Sequence, residues 1–124
     1  MIVGVGTDLV EVARIKLSLE RNGDRLARRI LTPKELAHFL DHGQKAHFLA
    51  KRFAAKEASS KALQTGIGRI SWQDINVSST KAGAPRLEFS GKARERLFAL
   101  GAREAYLSLS DERHYALAFV VLSA

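Results

Sequence analysis

The stretch that decides the fold is "RFAAKEASSKAL", which runs from residue 52 to residue 63. It is helical in composition, and its apolar side chains form a stripe along the helix: Phe53, Ala54, Ala58, Ala62 and Leu63. It also carries a dense group of charges: Arg52, Lys56, Glu57 and Lys61. A helix that is half apolar and yet places one carboxylate between two lysines needs a structural or a chemical explanation.

The bulk properties describe one globular domain. The 124 residues are enough for one modest core, so we expect a single domain over residues 1–124. There is no cysteine, which excludes disulfides, thiolate metal sites and cysteine nucleophiles. The first residues lack the basic start and cleavage site of a signal peptide, and no apolar run is long enough to span a membrane. We therefore expect a soluble, cytoplasmic protein with no membrane partner.

The chain is basic, with 20 Lys and Arg against 13 Asp and Glu and a formal charge of +7. Such a chain is drawn to something acidic, whether nucleic acid, anionic lipid, a phosphorylated small molecule or an acidic protein. The total charge does not choose among these partners, so the positions of the charges must decide.

Residues 2–10, "IVGVGTDLV", predict a buried strand with an unusual face. Strand alternation puts Ile2, Gly4, Gly6, Asp8 and Val10 on that face. Two glycines weaken a strand, so they indicate that another element approaches closely there. Asp8 lies at the end of the cleared face. It has two interpretations at this point: a cap for a helix that begins near Glu11, or part of a polar site.

The rest of the chain predicts an α+β fold, in which helices precede a mainly antiparallel sheet that ends in a C-terminal hairpin. Helical patterns cover residues 11 to about 30, with a break at Gly23, and a long helix covers about 45–64. Another helix begins with the capping box of "TPKE", residues 32–35. The later elements are strands over 74–79 and 85–89, a helix over 90–101, and two final strands joined by the turn 111–114.

Asp8 and Glu57 suggest chemistry if they meet where the strand packs on the long helix. Two carboxylates, together with water and phosphate oxygens, form the shell that Mg²⁺ accepts. Lys56 and Lys61 would then hold the anion that the metal carries. The competing interpretation is that Glu57 and Lys61 form an ordinary surface pair on the helix.

Three motifs together resemble the holo-[acyl-carrier-protein] synthases, the short bacterial class of 4′-phosphopantetheinyl transferases. They are "GVGTDLVEVARI" at the start, "RFAAKEASSKA" in the middle and the "TGIG" that follows, and the resemblance extends to the final hairpin. It implies transfer of the phosphopantetheine arm of coenzyme A to a serine of apo acyl carrier protein, as part of fatty acid biosynthesis. Adenosine 3′,5′-bisphosphate is released. It also implies a homotrimer whose active sites are shared between neighbouring subunits.

The resemblance assigns roles to individual residues. Asp8 and Glu57 match the Mg²⁺ ligands of the family, and Glu57 is our candidate for the group that accepts the serine proton. Lys61 matches the lysine that contacts coenzyme A phosphates, where its positive charge would stabilise the leaving phosphate. Arg52 matches a position that meets the 3′-phosphate of the nucleotide.

Two further residues are assigned to coenzyme A. Gly66 lies in the "TGIG" loop, whose backbone amides we expect to face the ligand. Pro85 lies where family members often have "GKP" beside the adenine, although Ala84 replaces the lysine here.

The resemblance also places a basic first helix against the acidic carrier. Arg14 and Arg21 match family positions, and Arg25 is a neighbour on the same stripe if the segment is one helix. One position departs from the family: many members have a histidine directly after the "S-x-S" strand, where this chain has Asp111. We do not transfer the role of that histidine to Asp111 or to His114.

The remaining candidates are weaker. His38, His42 and His47 lie across a predicted helix break, and we interpret them as surface residues. An alternative function is a small basic nucleic-acid-binding module, but only 7% of the residues are aromatic and the phenylalanines mostly fit apolar periodicity. A non-catalytic interaction protein that uses the arginines alone would leave Asp8 and Glu57 unexplained.

Overall fold

A computed structural model describes the whole chain, from Met1 to Ala124, and contains five α-helices and five strands. In chain order they are β1 (Ile2–Glu11), α1 (Val12–Asn22), α2 (Arg25–Ile30), α3 (Pro33–Asp41), α4 (Lys45–Ala62), β2 (Ile75–Ser79), β3 (Pro85–Phe89), α5 (Gly91–Ala99), β4 (Glu104–Asp111) and β5 (Tyr115–Ser123). This confirms the α+β class, the N-terminal strand and the C-terminal hairpin.

The strands form two antiparallel sheets. The larger has the order β1-β5-β4, so the N-terminal strand pairs with the last strand of the chain. The smaller contains β2 and β3 alone. None of the helices combines the length and the apolar character needed to cross a membrane.

Helix α4 lies against the inner face of the larger sheet, and the two glycines of β1 make this contact possible. A Cβ atom on Gly6 would lie 2.0 Å from the carbonyl oxygen of Ala58. One on Gly4 would lie 2.3 Å from that of Ala62. Real Cβ contacts are never this short, so only glycine lets the strand backbone reach the helix backbone. The prediction that another element approaches the glycine face is confirmed.

The outer face of the same sheet is not covered by any part of the chain. Its exposed apolar side chains come from all three strands: Val5, Leu9, Tyr106, Tyr115, Leu117 and Phe119. The strand predicted to be buried is therefore buried on one face only. The expectation that the phenylalanines are mostly core holds for Phe39 and Phe48, but Phe98 and Phe119 are exposed.

The N-terminal helical segment divides at Gly23, whose φ of +61° ends α1. Arg21 and Arg25 therefore lie on two separate helices, and the continuous arginine stripe expected of a single helix does not form. Helix α1 follows β1 directly, with Glu11 at its N-cap position. Asp8 is still within β1, so the interpretation of Asp8 as a helix cap is wrong.

The other helix boundaries follow the sequence closely. The capping box at the start of α3 is present, since Thr32 Oγ1 accepts from the amide of Glu35 and Glu35 Oε1 accepts from that of Thr32. Helix α4 ends at Ala62, two residues before the predicted end. Gly101, with a φ of +83°, follows α5 as expected.

Candidate active site

A cavity of about 490 Å³ lies where β1 ends and α1 begins, beside the middle of α4. Asp8 and Glu57 both line it, although they come from distant parts of the chain. Its polar rim includes Glu11 and Arg14, and its walls are largely apolar: Leu9, Val10, Ile15, Leu26, Phe53 and Tyr115. The fold thus brings together the two carboxylates that the sequence singled out.

The pleat of β1 explains why Asp8 reaches this position. Gly6 packs against Ala58, and Asp8 is the next residue on the same face of the strand. Glu57 directly precedes Ala58 on α4. The close backbone contact at Gly6 therefore sets the carboxylate of β1 beside that of α4.

Lys61 pairs with Asp8 rather than with Glu57. Its Nζ lies 3.2 Å from Asp8 Oδ1 and donates to the carbonyl oxygen of Thr7 at 3.0 Å. No ion pair joins Lys61 to Glu57, so the surface pair suggested by their spacing does not form. Lys61 instead links α4 to β1, and its side chain is more than half exposed beside Asp8.

The carboxyl group of Glu57 is held in an unfavourable environment for negative charge. Burial raises the pKa of Glu57, the nearby Asp8 raises it further, and Lys61 only partly opposes the two. Two carboxylates that share one exposed lysine carry an excess negative charge, which a cation would neutralise.

Asp8 and Glu57 fit a magnesium ion of the kind that uses few protein ligands. Both supply hard oxygen atoms, and the cavity beside them leaves room for water and phosphate oxygens to complete six ligands. No group of three or more His, Cys, Asp or Glu residues is placed to form a metal site from protein ligands alone. The fit is therefore to a metal ion that arrives with a phosphate ligand.

Lys56 does not belong to this site, and the expectation that it helps to hold an anion is wrong. Each residue turns an α-helix by about 100°, so Lys56 points away from Glu57 and into the protein. Its Nζ donates to Glu35 Oε1 at 2.7 Å and to the carbonyl oxygens of Ile30 and Trp72 at 2.6 and 3.1 Å. Burial lowers the pKa of Lys56, and the charge of Glu35 opposes that effect.

A second cavity, of about 550 Å³, lies on the Lys56 side of α4. Its lining includes Arg52, whose guanidinium group stacks 4.2 Å from the centre of the Phe48 ring. No carboxylate pairs with Arg52, and its Nε is buried without a hydrogen-bond partner. Burial lowers the pKa of Arg52, with Glu35 opposing. A half-buried cation with an unpartnered buried donor beside an open cavity is a place for an anion.

The structure therefore divides the predicted site into two parts. Arg52 and Glu57 lie about 140° apart around α4, since they are five residues apart on a helix of 3.6 residues per turn. The two cavities have no lining residue in common. Sequence spacing suggested that the functional side chains of α4 form one cluster. In a single chain they instead line two separate cavities on opposite sides of α4.

Gly66 and Pro85 line neither of these cavities. The amide of Gly66 donates to the carbonyl oxygen of Ser60 at 3.3 Å, so this amide is used within the chain and is not free for a ligand. Pro85 begins β3 and pairs with Ser79, which does line the second cavity. Pro85 is thus close to the Arg52 side.

The three arginines expected to bind the carrier protein are exposed, and none forms an ion pair with a side chain of the chain. Arg14 lines the first cavity, while Arg21 and Arg25 lie on either side of the break at Gly23. Asp111 ends β4, and His114 lies in the hairpin turn, where its amide donates to Glu112 Oε1 at 2.8 Å.

Sequence reasoning missed three residues around the second cavity. Glu35 was recognised only as part of a capping box, yet it also receives Lys56 and the amide of Val77. His38 and His42, which we interpreted as surface residues, line the cavity. The helical spacing of Phe48, Arg52 and Lys56, four residues apart along one side of α4, was the available signal for a second functional face.

Comparison with known proteins shows the family to which the chain is similar. Residues 4–120 match the family model of the 4′-phosphopantetheinyl transferase superfamily. The holo-[acyl-carrier-protein] synthase of Shewanella frigidimarina (strain NCIMB 400) is 53% identical over 124 residues, which cover 99% of this chain and 98% of that protein. That of Halorhodospira halophila (strain DSM 244 / SL1) is 55% identical over 123 residues, or 98% of each chain.

Solved structures show the same similarity. The holo-[acyl-carrier-protein] synthase of Neisseria meningitidis matches with a TM-score of 0.92 at 42% identity, with both chains fully covered. That of Helicobacter pylori, solved in complex with coenzyme A, matches with a TM-score of 0.83 at 35% identity over 96% of this chain and 99% of that one. The chain therefore belongs to the 4′-phosphopantetheinyl transferase superfamily, within its holo-[acyl-carrier-protein] synthase family.

Proposed function

We propose that this chain transfers the 4′-phosphopantetheine group of coenzyme A to a serine of apo acyl carrier protein. The serine oxygen forms a bond to the phosphorus that bears the pantetheine. The bond from that phosphorus to the oxygen of the adenosine 5′-phosphate breaks, and adenosine 3′,5′-bisphosphate leaves. The observation that carries the proposal is the convergence of Asp8 and Glu57 in one cavity beside Lys61.

Asp8 and Glu57 would hold Mg²⁺ in this reaction. When bound, such an ion withdraws negative charge from the diphosphate and stabilises the leaving phosphate. The raised pKa of Glu57 and the lack of any second lysine beside the two carboxylates support this role.

Lys61 and Glu57 would act directly on the reacting groups. The ammonium group of Lys61 is held by Asp8 and by the carbonyl oxygen of Thr7, where it would add positive charge near a bound diphosphate. Glu57 is our candidate to accept the proton of the serine hydroxyl, because it lines the cavity that the serine would enter.

The first cavity also offers a surface for the acidic carrier. Arg14 stands at its rim, beside the apolar wall formed by Ile15, Leu26 and Phe53. A carrier that places its serine near Glu57 would meet both the positive charge and the apolar wall. Arg21 and Arg25, exposed and unpaired farther along, would extend the positive surface.

The active form is proposed to be a homotrimer, in which Arg52 of one chain completes the site that contains Asp8 and Glu57 of its neighbour. Two features support a second copy. The residues expected to bind one molecule of coenzyme A face opposite sides of α4. The outer face of the larger sheet also exposes several apolar side chains, among them Val5, Leu117 and Phe119, which a second copy would cover.

The remaining parts of the proposal are broader. Residues 1–124 would form a single catalytic domain, and Pro85 would lie beside coenzyme A near the second cavity. The protein would act in the cytoplasm, where apo carrier proteins are modified for fatty acid biosynthesis. The alternative of a nucleic-acid-binding module gives no role to the two carboxylates at the first cavity.

A direct assay tests the activity. The protein is incubated with apo acyl carrier protein, coenzyme A and Mg²⁺, and the carrier is then weighed by mass spectrometry. We expect the mass to increase by one phosphopantetheine group, and only when Mg²⁺ is present. An unchanged carrier mass, in conditions where a known transferase modifies the same carrier, would rule out the proposed activity.

A further inference from the structure

We propose that His42 is a specificity-determining residue that, together with Arg52, binds the 3′-phosphate of coenzyme A. This inference rests on the proposed function, because it assigns the second cavity to the nucleotide end of that substrate. It adds to the resemblance a residue that the motifs did not indicate. It also predicts which analogue the enzyme rejects.

A backbone hydrogen bond orients the ring of His42. The backbone amide of Gln44 donates to His42 Nδ1 at 2.9 Å, so Nδ1 carries no hydrogen. In the neutral ring the hydrogen must then be on Nε2. Nε2 has no hydrogen-bond partner within the chain, which leaves one oriented donor available to a ligand in the cavity that His42 lines.

His42 and Arg52 pack on the same aromatic ring. The centre of the His42 ring lies 5.0 Å from that of Phe48, and the guanidinium carbon of Arg52 lies 4.2 Å from it. Phe48 is buried and also packs on Phe39, so it is a rigid support for both groups. The imidazole and the guanidinium group therefore contact the same ring, and both residues line the cavity.

Arg52 supplies the reason that the ligand is an anion. Its Nε is buried with no acceptor, and no carboxylate lies within ion-pair distance. A phosphate monoester has several acceptor oxygens and about two negative charges, so it can accept from Arg52 and from His42 Nε2 together.

The carboxylates around the cavity limit where that phosphate can lie. Glu35 is already occupied, since its oxygens accept from Lys56 and from backbone amides. Asp41 and Glu88 also line the cavity and would repel an anion near them. Lys34 is the other cation that lines the cavity. We place the phosphate beside Arg52 and His42, because Arg52 has a buried donor that lacks an acceptor.

Binding of two nucleotides that differ only in the 3′-phosphate tests the proposal. Calorimetry would compare adenosine 3′,5′-bisphosphate with adenosine 5′-monophosphate on the intact protein and on His42→Phe, which keeps an aromatic ring on Phe48 but removes the donor. We expect His42→Phe to weaken binding of the bisphosphate about tenfold, the effect of one charge-assisted hydrogen bond. Binding of the monophosphate should change less than about twofold.

His38→Phe is the matched control, because His38 lines the same cavity without the amide bond that orients His42. It should leave both affinities within about twofold. Equal weakening of both nucleotides by His42→Phe, no weakening of either, or failure of the unaltered protein to prefer the bisphosphate would overturn the role of His42. Absence of carrier modification, by contrast, contradicts the proposed function and is measured separately.

Discussion

Helix α4 carries two lysine–carboxylate pairs of the same chemistry on opposite sides. The Lys56–Glu35 pair is buried, with side-chain exposures of 0% and 1% and an N···O distance of 2.7 Å. The Lys61–Asp8 pair is open, with exposures of 54% and 16% and a distance of 3.2 Å. The lysines are only five residues apart, yet one pair is closed to solvent and the other borders a cavity.

The difference lies in how completely each pair is satisfied. Lys56 makes three hydrogen bonds that join α4 to Glu35, to the end of α2 and to Trp72. Glu35 makes further bonds to amides, so neither group has capacity left for a ligand. Lys61 and Asp8 keep free donors and acceptors beside Glu57. A satisfied pair serves the fold, whereas an unsatisfied pair beside a cavity is available for catalysis.

The largest expected effect on stability comes from breaking the closed pair. Lys56→Met should lower the free energy of unfolding by about 3–5 kcal/mol, because Glu35 is then left as a buried charge without a partner. The measurement is urea unfolding at one protein concentration, since the proposed trimer would also contribute to stability. Adding Glu35→Gln should restore part of the loss. A drop below about 1 kcal/mol in Lys56→Met would show that the pair is not structural.

The next effect concerns catalysis at the open side. Asp8→Asn and Glu57→Gln should each lower the rate of carrier modification at least about 100-fold, equivalent to about 2.7 kcal/mol. Glu11→Gln removes another carboxylate that lines the same cavity and serves as the matched control. It should keep most of the activity. Equal losses in all three variants would mean that net charge, rather than the convergence of Asp8 and Glu57, matters.

Glu57→Gln should not destabilise the fold. The pKa of Glu57 is raised by burial, so its ionised form is unfavourable in the folded state. Its contribution to stability is therefore present below the unfolded pKa and lost as pH rises through the folded pKa. At neutral pH Glu57→Gln should leave the melting temperature unchanged or higher. Added Mg²⁺ should raise the melting temperature of the unaltered protein but not that of Asp8→Asn or Glu57→Gln.

Local patterns predicted most of the secondary-structure elements, and they singled out Asp8 and Glu57, which line one cavity. The glycines at 4 and 6 indicated a close approach, and strand alternation carried that inference to Asp8, because both depend only on neighbours in the sequence. The capping box at Thr32 was recognised for the same reason. These features are decided within a few residues of the chain.

Long-range contacts could not be predicted in this way. Sequence spacing grouped Lys56 with Glu57, but the helix turn of about 100° per residue separates them, and only the position of α3 shows that Lys56 meets Glu35. The role of His42 depends likewise on Phe48 and Arg52, which α4 supplies after the break at Gly43. What spacing along one helix cannot show is which element covers each of its sides.

A mixing experiment tests whether one active site uses Arg52 from one chain and Glu57 from a neighbouring chain. Arg52→Gln and Glu57→Gln should each be strongly impaired alone. Refolded together in equal amounts, they should recover about a quarter of the unaltered activity, because that share of neighbouring pairs joins an intact Arg52 to an intact Glu57. Mixing without refolding is the control. No recovery in verified mixed trimers would contradict the shared site.

The carrier-binding surface should affect one substrate only. Arg14→Glu with Arg21→Glu should raise the KM for apo carrier about tenfold at low salt while the KM for coenzyme A stays within about twofold, because the arginines act on the acidic partner. The effect should shrink as ionic strength rises. Arg103→Glu, an exposed arginine remote from α1, is the charge-matched control. Equal rises in both KM values would remove the docking role.

The smallest expected effect on stability compares the Lys61–Asp8 pair directly with the Lys56–Glu35 pair. Lys61→Met should lower the free energy of unfolding by no more than about 1 kcal/mol, because the lysine is more than half exposed and solvent already screens its charge. Its rate of carrier modification should nevertheless fall about tenfold or more, with partial recovery in Lys61→Arg, which keeps the charge. Urea unfolding and the mass assay would be run on the same samples. If Lys61→Met loses as much stability as Lys56→Met, the distinction between a structural and a catalytic pair on α4 is wrong, since both lysines would then serve the fold alike.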